Sequence, residues 1–157
     1  MTVTNEPADI DRRILFALND AGEEYVSALI NTVITCQGSP SEVTSVAGAL
    51  KKFLCGSIVK CADARDTNTL ALIELAEREA IQRLNALPEQ MAWSQEDFLW
   101  IWTSDQPRLV VLLTDTGKRV SQEMATGIGA EKIRAFLSIR AKDPRWYREY
   151  KNLSGNP

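Results

Sequence analysis

The sequence predicts an α+β domain that is mostly α. Apolar residues recur at helical spacing through the first third of the chain and again after residue 115. Two aromatic and β-branched runs, 98–103 and 108–114, flank a Ser-Asp-Gln-Pro turn. The 157 residues, 45% apolar and 25% charged, suit one soluble globular unit that buries its core without disulfide or metal staples.

The first helix is expected to open at 7–9, with Asp9 as N-cap, and to run to Asn19. Its stripe is Ile10, Ile14, Leu15 and Leu18, and Asp20-Ala21-Gly22 stops it. A second helix covers 23–36, with Val26, Leu29, Ile30 and Val33 on one face. Gln37-Gly38-Ser39-Pro40 then breaks the chain. Ser41 opens a third helix, 41–54, with the inward stripe Val43, Val46, Ala47, Leu50, Phe53 and Leu54. Glu42, Thr44, Ser45, Gly48, Lys51 and Lys52 look outward. Cys55-Gly56-Ser57 ends that helix, and 58–62 (IVKCA) reads as a strand.

From 68 to 87 the stripe Leu70, Ile73, Ala76, Ala80, Leu84 and Leu87 predicts a helix stopped by Pro88, followed by a loop to Asp97. The two β runs predict a hairpin. Trp100 and Trp102 share one strand face and Leu99 and Ile101 the other, so both faces need cover, from the 68–87 helix or a partner chain. Thr114 or Asp115 caps a helix at 116–125, whose first turn Gly117 keeps uncrowded. Thr126-Gly127-Ile128-Gly129 interrupts the pattern, a last helix spans 130–141, and a polar, aromatic tail covers 143–157.

Composition removes several chemistries. With no histidine, Ser-His-Asp and Cys-His catalysis and His-ligated metals are excluded. Cys36, Cys55 and Cys61 are odd in number and form no CxxC pair, so they read as free thiols in a reducing compartment, and no metal is expected. There is no Walker loop, GxGxxG or GxSxG, and the carboxylates Glu74 and Glu77 read as solvated, so neither an enzyme nor a cofactor is expected. The polar start MTVTNEPADIDRR has no signal-peptide core, and the longest apolar strip, 109–113, is too short for a membrane span. The expectation is a cytoplasmic protein with no membrane partner.

Three short helices, a strand, a closing hairpin and a further helix follow the order of a winged-helix domain. Two stretches resemble bacterial winged-helix regulators of the MarR and PadR kind. SPSEVTSVAGALKKFLCGSIVKC, at 39–61, is similar to their recognition helix and following strand. LVVLLTDTGKRVSQEM, at 109–124, is similar to their wing strand running into an LT-x-x-G helix start. The resemblance covers about 1–125 and leaves 126–157 as a C-terminal helix and tail. Family members have a shorter path from the residue-61 strand to the second wing strand. Either 68–87 is an inserted helix, or strand 58–62 is not the wing's partner.

The resemblance implies a homodimeric, DNA-binding transcription regulator. Helix 41–54 would enter the major groove with Ser41, Thr44, Ser45, Lys51 and Lys52 as contacts. The wing 98–114 would lay Arg108, the one cation at its tip, along the backbone.

Charge patterning bears on the same expectation. The chain carries 18 basic and 21 acidic residues, net −3, which excludes a bulk polycation. Residues 41–65 nevertheless hold four cations against two acids, and 117–157 hold nine against four. Such asymmetry suits a local phosphate-binding face, and it equally suits ordinary solvated helices. The outward face of 41–54 has no Arg, Asn or Gln for bidentate base reading. The alternative is a protein-interaction module on the same scaffold that binds no DNA. The Gly127-Ile128-Gly129 turn resembles the phosphate-facing turn of helix-hairpin-helix modules, and it also reads as a glycine cap before a new helix.

Overall fold

Residues 6–34, 37–66 and 71–141 are described by the computed structural model. The order is α1 (Pro7–Ala21), β1 (Glu23–Tyr25), α2 (Val26–Val33), α3 (Pro40–Cys55), β2 (Val59–Asp66), β3 (Ala71–Glu74), α4 (Glu77–Asn85), α5 (Leu87–Gln90), β4 (Met91–Ser94), β5 (Leu99–Trp102), β6 (Arg108–Leu113), α6 (Asp115–Ala125) and α7 (Ala130–Ala141). The protein is therefore α+β and mostly α. Its main sheet is antiparallel, in the order β1-β6-β2-β3, and β4-β5 form a separate two-stranded ribbon.

The core is laid down by the stripes that periodicity marks. Ile10, Ile14, Leu15 and Leu18 of α1 are buried with Val26, Leu29, Ile30 and Val33 of α2 and Val43, Val46, Leu50 and Leu54 of α3. Pro7 occupies the first turn of α1, where its missing N–H costs nothing. Glu6, not Asp9, stands at the N-cap, and Asp9 lies in the first turn beside the positive helix end. Gly22 ends the helix at φ 79, its N–H donating to the Leu18 carbonyl at 2.7 Å. Arg13 is buried among these helices. It donates to the Val33 carbonyl at 3.1 Å, and its guanidinium lies 3.8 Å over the Phe136 ring, tying α1 to the end of α2 and to α7.

Four expectations need correction. The second helix does not begin at 23: Glu23–Tyr25 extend and pair with β6, because Gly22 turns them onto that strand's free edge. The helix 68–87 begins only at Glu77. Ala71–Glu74 pair instead with the far half of β2, leaving Leu72 and Ile73 exposed, while Leu70 lies outside the described residues. Pro88 does not stop a helix but sits in the first turn of α5.

The fourth correction is the hairpin 98–114, which does not form. β5 pairs with β4, in the segment read as a loop, and β6 pairs with β1 and β2 (Val59↔Leu113 through Ala64↔Arg108). Leu109, Val110, Val111 and Leu113 are all buried, so β6 needs the central place in the sheet that a two-stranded wing lacks. Strand 58–62 is thus the partner of β6, and 67–107 is chain inserted between two neighbouring strands.

That inserted chain is fixed at two points. Asn31 of α2, fully buried, meets the outer edge of β5: Trp100 N–H donates to Asn31 Oδ1 at 2.9 Å, and Asn31 Nδ2 donates to the Trp100 carbonyl at 2.8 Å. On the other side Arg83 of α4 pairs with buried Asp63 of β2 and donates to the Pro107 carbonyl at 2.6 Å. Leu99, Trp100 and Trp102 are buried and Ile101 is half-buried, as two covered faces require.

The start of α6 agrees with its sequence. Thr114 accepts from Gly117 N–H at 3.0 Å, and a Cβ on Gly117 would lie 2.0 Å from the Ile58 carbonyl oxygen. Only glycine fits there. α7 packs on α1 and α2, with Phe16, Ala130 and Ile133 in a second small core. The tail 143–157 lies outside the described residues, as does Cys36.

Replacing Asn31 with Leu strands a buried N–H and a buried carbonyl of Trp100, and should cost about 2–4 kcal/mol. Urea unfolding checks this; a loss under about 0.5 kcal/mol would show that the amide does not hold β5. Burial pushes the Cys61 thiol from 9.0 up to about 12. The unfolded chain releases this proton near pH 9 and the folded chain holds it, so this contribution to stability is intact below pH 9 and lost as pH rises toward 12. Thiol labelling mapped by mass spectrometry should modify exposed Cys55 in the native protein and Cys61 only after unfolding.

Candidate nucleic-acid interface

The α2–α3 turn and the outer face of α3 carry most of the residues that sequence reasoning selected. α3 starts at Pro40, with Ser39 as N-cap in place of Ser41. Its N-terminus is closed from within. Glu42, expected to face solvent, is buried, and its carboxylate accepts the backbone N–H groups of Gln37 (2.9 Å), Gly38 (2.7 Å) and Ser39 (2.8 Å). Three donors that could meet an external anion are thereby satisfied by the helix's own acid.

Beyond that cap, Ser41, Thr44, Ser45, Gly48, Lys52 and Cys55 are exposed on one strip, since their spacing keeps them within a third of the helix circumference. The Ser41 hydroxyl lies 2.8 Å from that of Ser39, and Thr44 donates back to the Pro40 carbonyl at 3.4 Å. The structure therefore brings Ser41, Thr44, Ser45 and Lys52 together. Lys51 stands on the flank, donating to Asn85 of α4 at 2.7 Å. Lys52, 60% exposed, pairs with Asp11 of α1 and lies 5.5 Å from the Phe53 ring centroid. An exposed pair of this kind is worth less than about 1 kcal/mol, so a phosphate can compete for the ammonium group.

Arg108 is not at a wing tip. It opens β6 opposite Ala64, five residues along the ladder from Leu113, about 17 Å from the end at which α3 enters the sheet. It lines a cleft of 330 Å³ with Tyr25, Trp102 and Ser104. The structure does not join it to the α3 strip.

Sequence reasoning missed what flanks the strip. Trp93 of β4 closes over Gly38, where φ is +89 and a Cβ would lie 2.7 Å from the indole nitrogen. The ribbon β4-β5 thus abuts the α2–α3 turn. Trp93 packs edge-on against Phe98 (6.2 Å) and Trp100 (5.5 Å). Phe98 is 44% exposed and has a positive φ of 54. The ribbon's tip also carries Glu96 and Asp97, and Asp97 N–H donates to the Ser94 hydroxyl at 3.1 Å. Only the aromatic crowding at 93–102 signalled any of this. At the other end of the chain, Gly129 has φ 87, and Gly127 and Gly129 accept the Ala130 and Ile133 N–H groups, so the turn works as a glycine-made start for α7.

Among the described residues no group of His, Cys, Asp and Glu could hold a metal ion, and no helix is long and apolar enough to cross a membrane. Comparison with family models, characterised proteins and solved structures gives no match.

Replacing Gly38 with Ala places a Cβ against the Trp93 ring at a left-handed φ, and should destabilise the protein by about 1–3 kcal/mol. Thermal unfolding followed by tryptophan fluorescence reads both the stability and the Trp93 environment; an unchanged Tm would show that the ribbon does not rest on this turn.

Proposed function

We propose that the chain is a winged-helix DNA-binding domain of a cytoplasmic transcription regulator, with α3 as the helix that approaches the major groove. The observation that carries the reading is topological. A helix, a short strand, two helices joined by a tight turn and a strand pair run in the order α1-β1-α2-α3-β2-β6, with the sheet order β1-β6-β2. This is the winged-helix order once 67–107 is set aside as an insertion. α3 buries one face in the core and leaves the opposite strip uncovered, as a helix that docks in a groove must.

In this reading the inserted chain itself supplies the wing: its first strand, β3, forms a ribbon with β2 in place of 98–114. β2 runs to Asp66 and β3 returns from Ala71, so this ribbon stands where chain leaves and re-enters the sheet. Ser41, Thr44 and Ser45 supply short hydroxyls that suit phosphate and sugar contacts, and Lys51, Lys52 and Arg108 supply charge. The absence of base-reading side chains on the strip favours shape and backbone recognition over a long specific code. Dimerisation through α7 or the inserted segment belongs to the same proposal, and light scattering of the purified chain tests it.

Three observations favour a second reading, a protein-interaction module. Lys51 and Lys52 are engaged within the chain, Glu42 fills the α3 N-terminus, and the edge strand β3 shows Leu72 and Ile73 to solvent.

Fluorescence anisotropy with duplex DNA separates the two. Three cations on phosphates give a log–log salt slope of about −3, and a flat response would reject DNA binding. Asp11→Asn removes a competing anion from Lys52 and should tighten DNA binding about two- to fivefold, while Lys52→Glu should abolish it in a protein that still folds. Equal affinity of wild type and Lys52→Glu would leave the protein-partner reading.

A further inference from the structure

We infer that the cleft at the start of β6 is a binding site for a free α-amino acid in its zwitterionic form. The cleft has a volume of 330 Å³, at the lower end of the range for small-molecule sites. Its floor is one end of the main sheet. Ala64 stands opposite Arg108 in the ladder, and Tyr25 stands opposite Val110, so strand alternation puts Tyr25, Ala64 and Arg108 on one face. The segment 102–107 forms the wall, with Trp102 and Pro107 as its apolar part.

The polar groups select the guest. Arg108 is the only charged residue lining the cleft, and its guanidinium has no ion pair or hydrogen bond among the described residues. A planar fork of this kind takes a carboxylate through two parallel bonds. The Tyr25 hydroxyl is likewise unbonded among the described residues. Ser104 Oγ accepts from Gln106 N–H at 3.0 Å, which leaves its own proton to donate. A carboxylate in the cleft therefore meets one cation and two hydroxyl donors, and no acid on the lining opposes it.

The other half of the guest is read from Gln90 of α5. This residue is only 8% exposed, and its Oε1 has no hydrogen-bond partner. Its amide ends at the cleft wall: Nε2 donates to Gln106 Oε1 at 2.6 Å and to Ser104 Oγ at 3.5 Å. Thr103 fixes it there, with N–H and hydroxyl both donating to the Gln90 carbonyl, at 2.9 and 3.3 Å. A buried acceptor without a donor is costly, so Oε1 favours a guest that brings an N–H. A carboxylate with an ammonium group beside it meets both demands, and a branched alkyl side chain suits Trp102 and Pro107. The lining shares no residue with α3, and the cleft is titrated without DNA, so the outcome stands apart from the DNA reading, in which Arg108 meets phosphate.

Calorimetric titration of the full chain with L-leucine tests the site, beside 4-methylpentanoate, which lacks the amine, and 3-methylbutylammonium, which lacks the carboxylate. Leucine should bind at least about tenfold more tightly than either analogue. Arg108→Gln should abolish leucine binding, and Gln90→Met, which removes the acceptor and keeps the length, should reduce leucine to the level of 4-methylpentanoate. No saturable heat with millimolar leucine, equal binding of leucine and 4-methylpentanoate, or wild-type affinity in Arg108→Gln would overturn the proposal. Should circular dichroism show that Gln90→Met does not fold, Tyr25→Phe takes its place: weaker leucine binding supports the site, and unchanged binding rejects it.

Discussion

The bidentate contact between Asn31 and the Trp100 backbone is the constraint on which the architecture rests. β5 has one edge paired to β4 and another that would otherwise end in the core. A buried strand edge is tolerable only when its N–H and carbonyl are met. One side-chain amide on α2 supplies both partners in the geometry of a missing strand. In doing so it sets the depth at which the inserted chain sits against the helices, and hence where Trp93 meets Gly38 and where Arg83 can reach Asp63. An apolar residue at 31 could fill the space but could not terminate the sheet.

The insertion exploits a feature of antiparallel sheets. β2 and β6 are neighbours, and any length of chain may join them provided both ends return to the same place. β2 is stretched past the point where β6 starts and is folded back as β3. Arg83 then anchors the return path at Pro107, just before β6 begins. At the opposite end of the ladder, Thr114 and Gly117 close against the Ser57–Ile58 backbone so tightly that no side chain fits at 117. The sheet is thus clamped at both ends by contacts that involve little apolar area.

Helical stripes were legible because they repeat. α1, α3, α6 and α7 lie within two residues of their expected ends, and Thr114 and Gly117 act as their residue types imply. Strands in the second half were not, for a definable reason. The run 109–113 is apolar at every position, which marks a strand buried on both faces but says nothing about its neighbours; sequence proximity suggested β5, and burial selected β1 and β2. Ala71–Glu74 is a short, largely apolar run whose Ile73 falls on the helical stripe, and a vacant edge on β2 drew it into the sheet instead. Of the site residues, exposure of Ser41, Thr44, Ser45 and Lys52 followed from the stripe opposite. The partners of Lys51 and Lys52 did not, because Asn85 and Asp11 are 34 and 41 residues away.

The same contacts shape what α3 can offer a partner. By spending Glu42 on the N–H groups of Gln37, Gly38 and Ser39, the helix gains a well-defined start and leaves those three donors closed to an outside anion. Its outer strip is left with small hydroxyls, a bare Gly48 and one ammonium group shared with Asp11. Such a surface permits close approach of a flat or grooved partner because nothing long projects from it, yet it supplies little long-range steering. On the proposed reading, affinity on this strip would have to come from shape and from its flank, where the ribbon contributes exposed Phe98. On that same reading, Lys51 and Lys52 would draw phosphate to the C-terminal half of α3. A duplex meeting this face would be biased toward the C-terminal half of the helix, away from the ribbon.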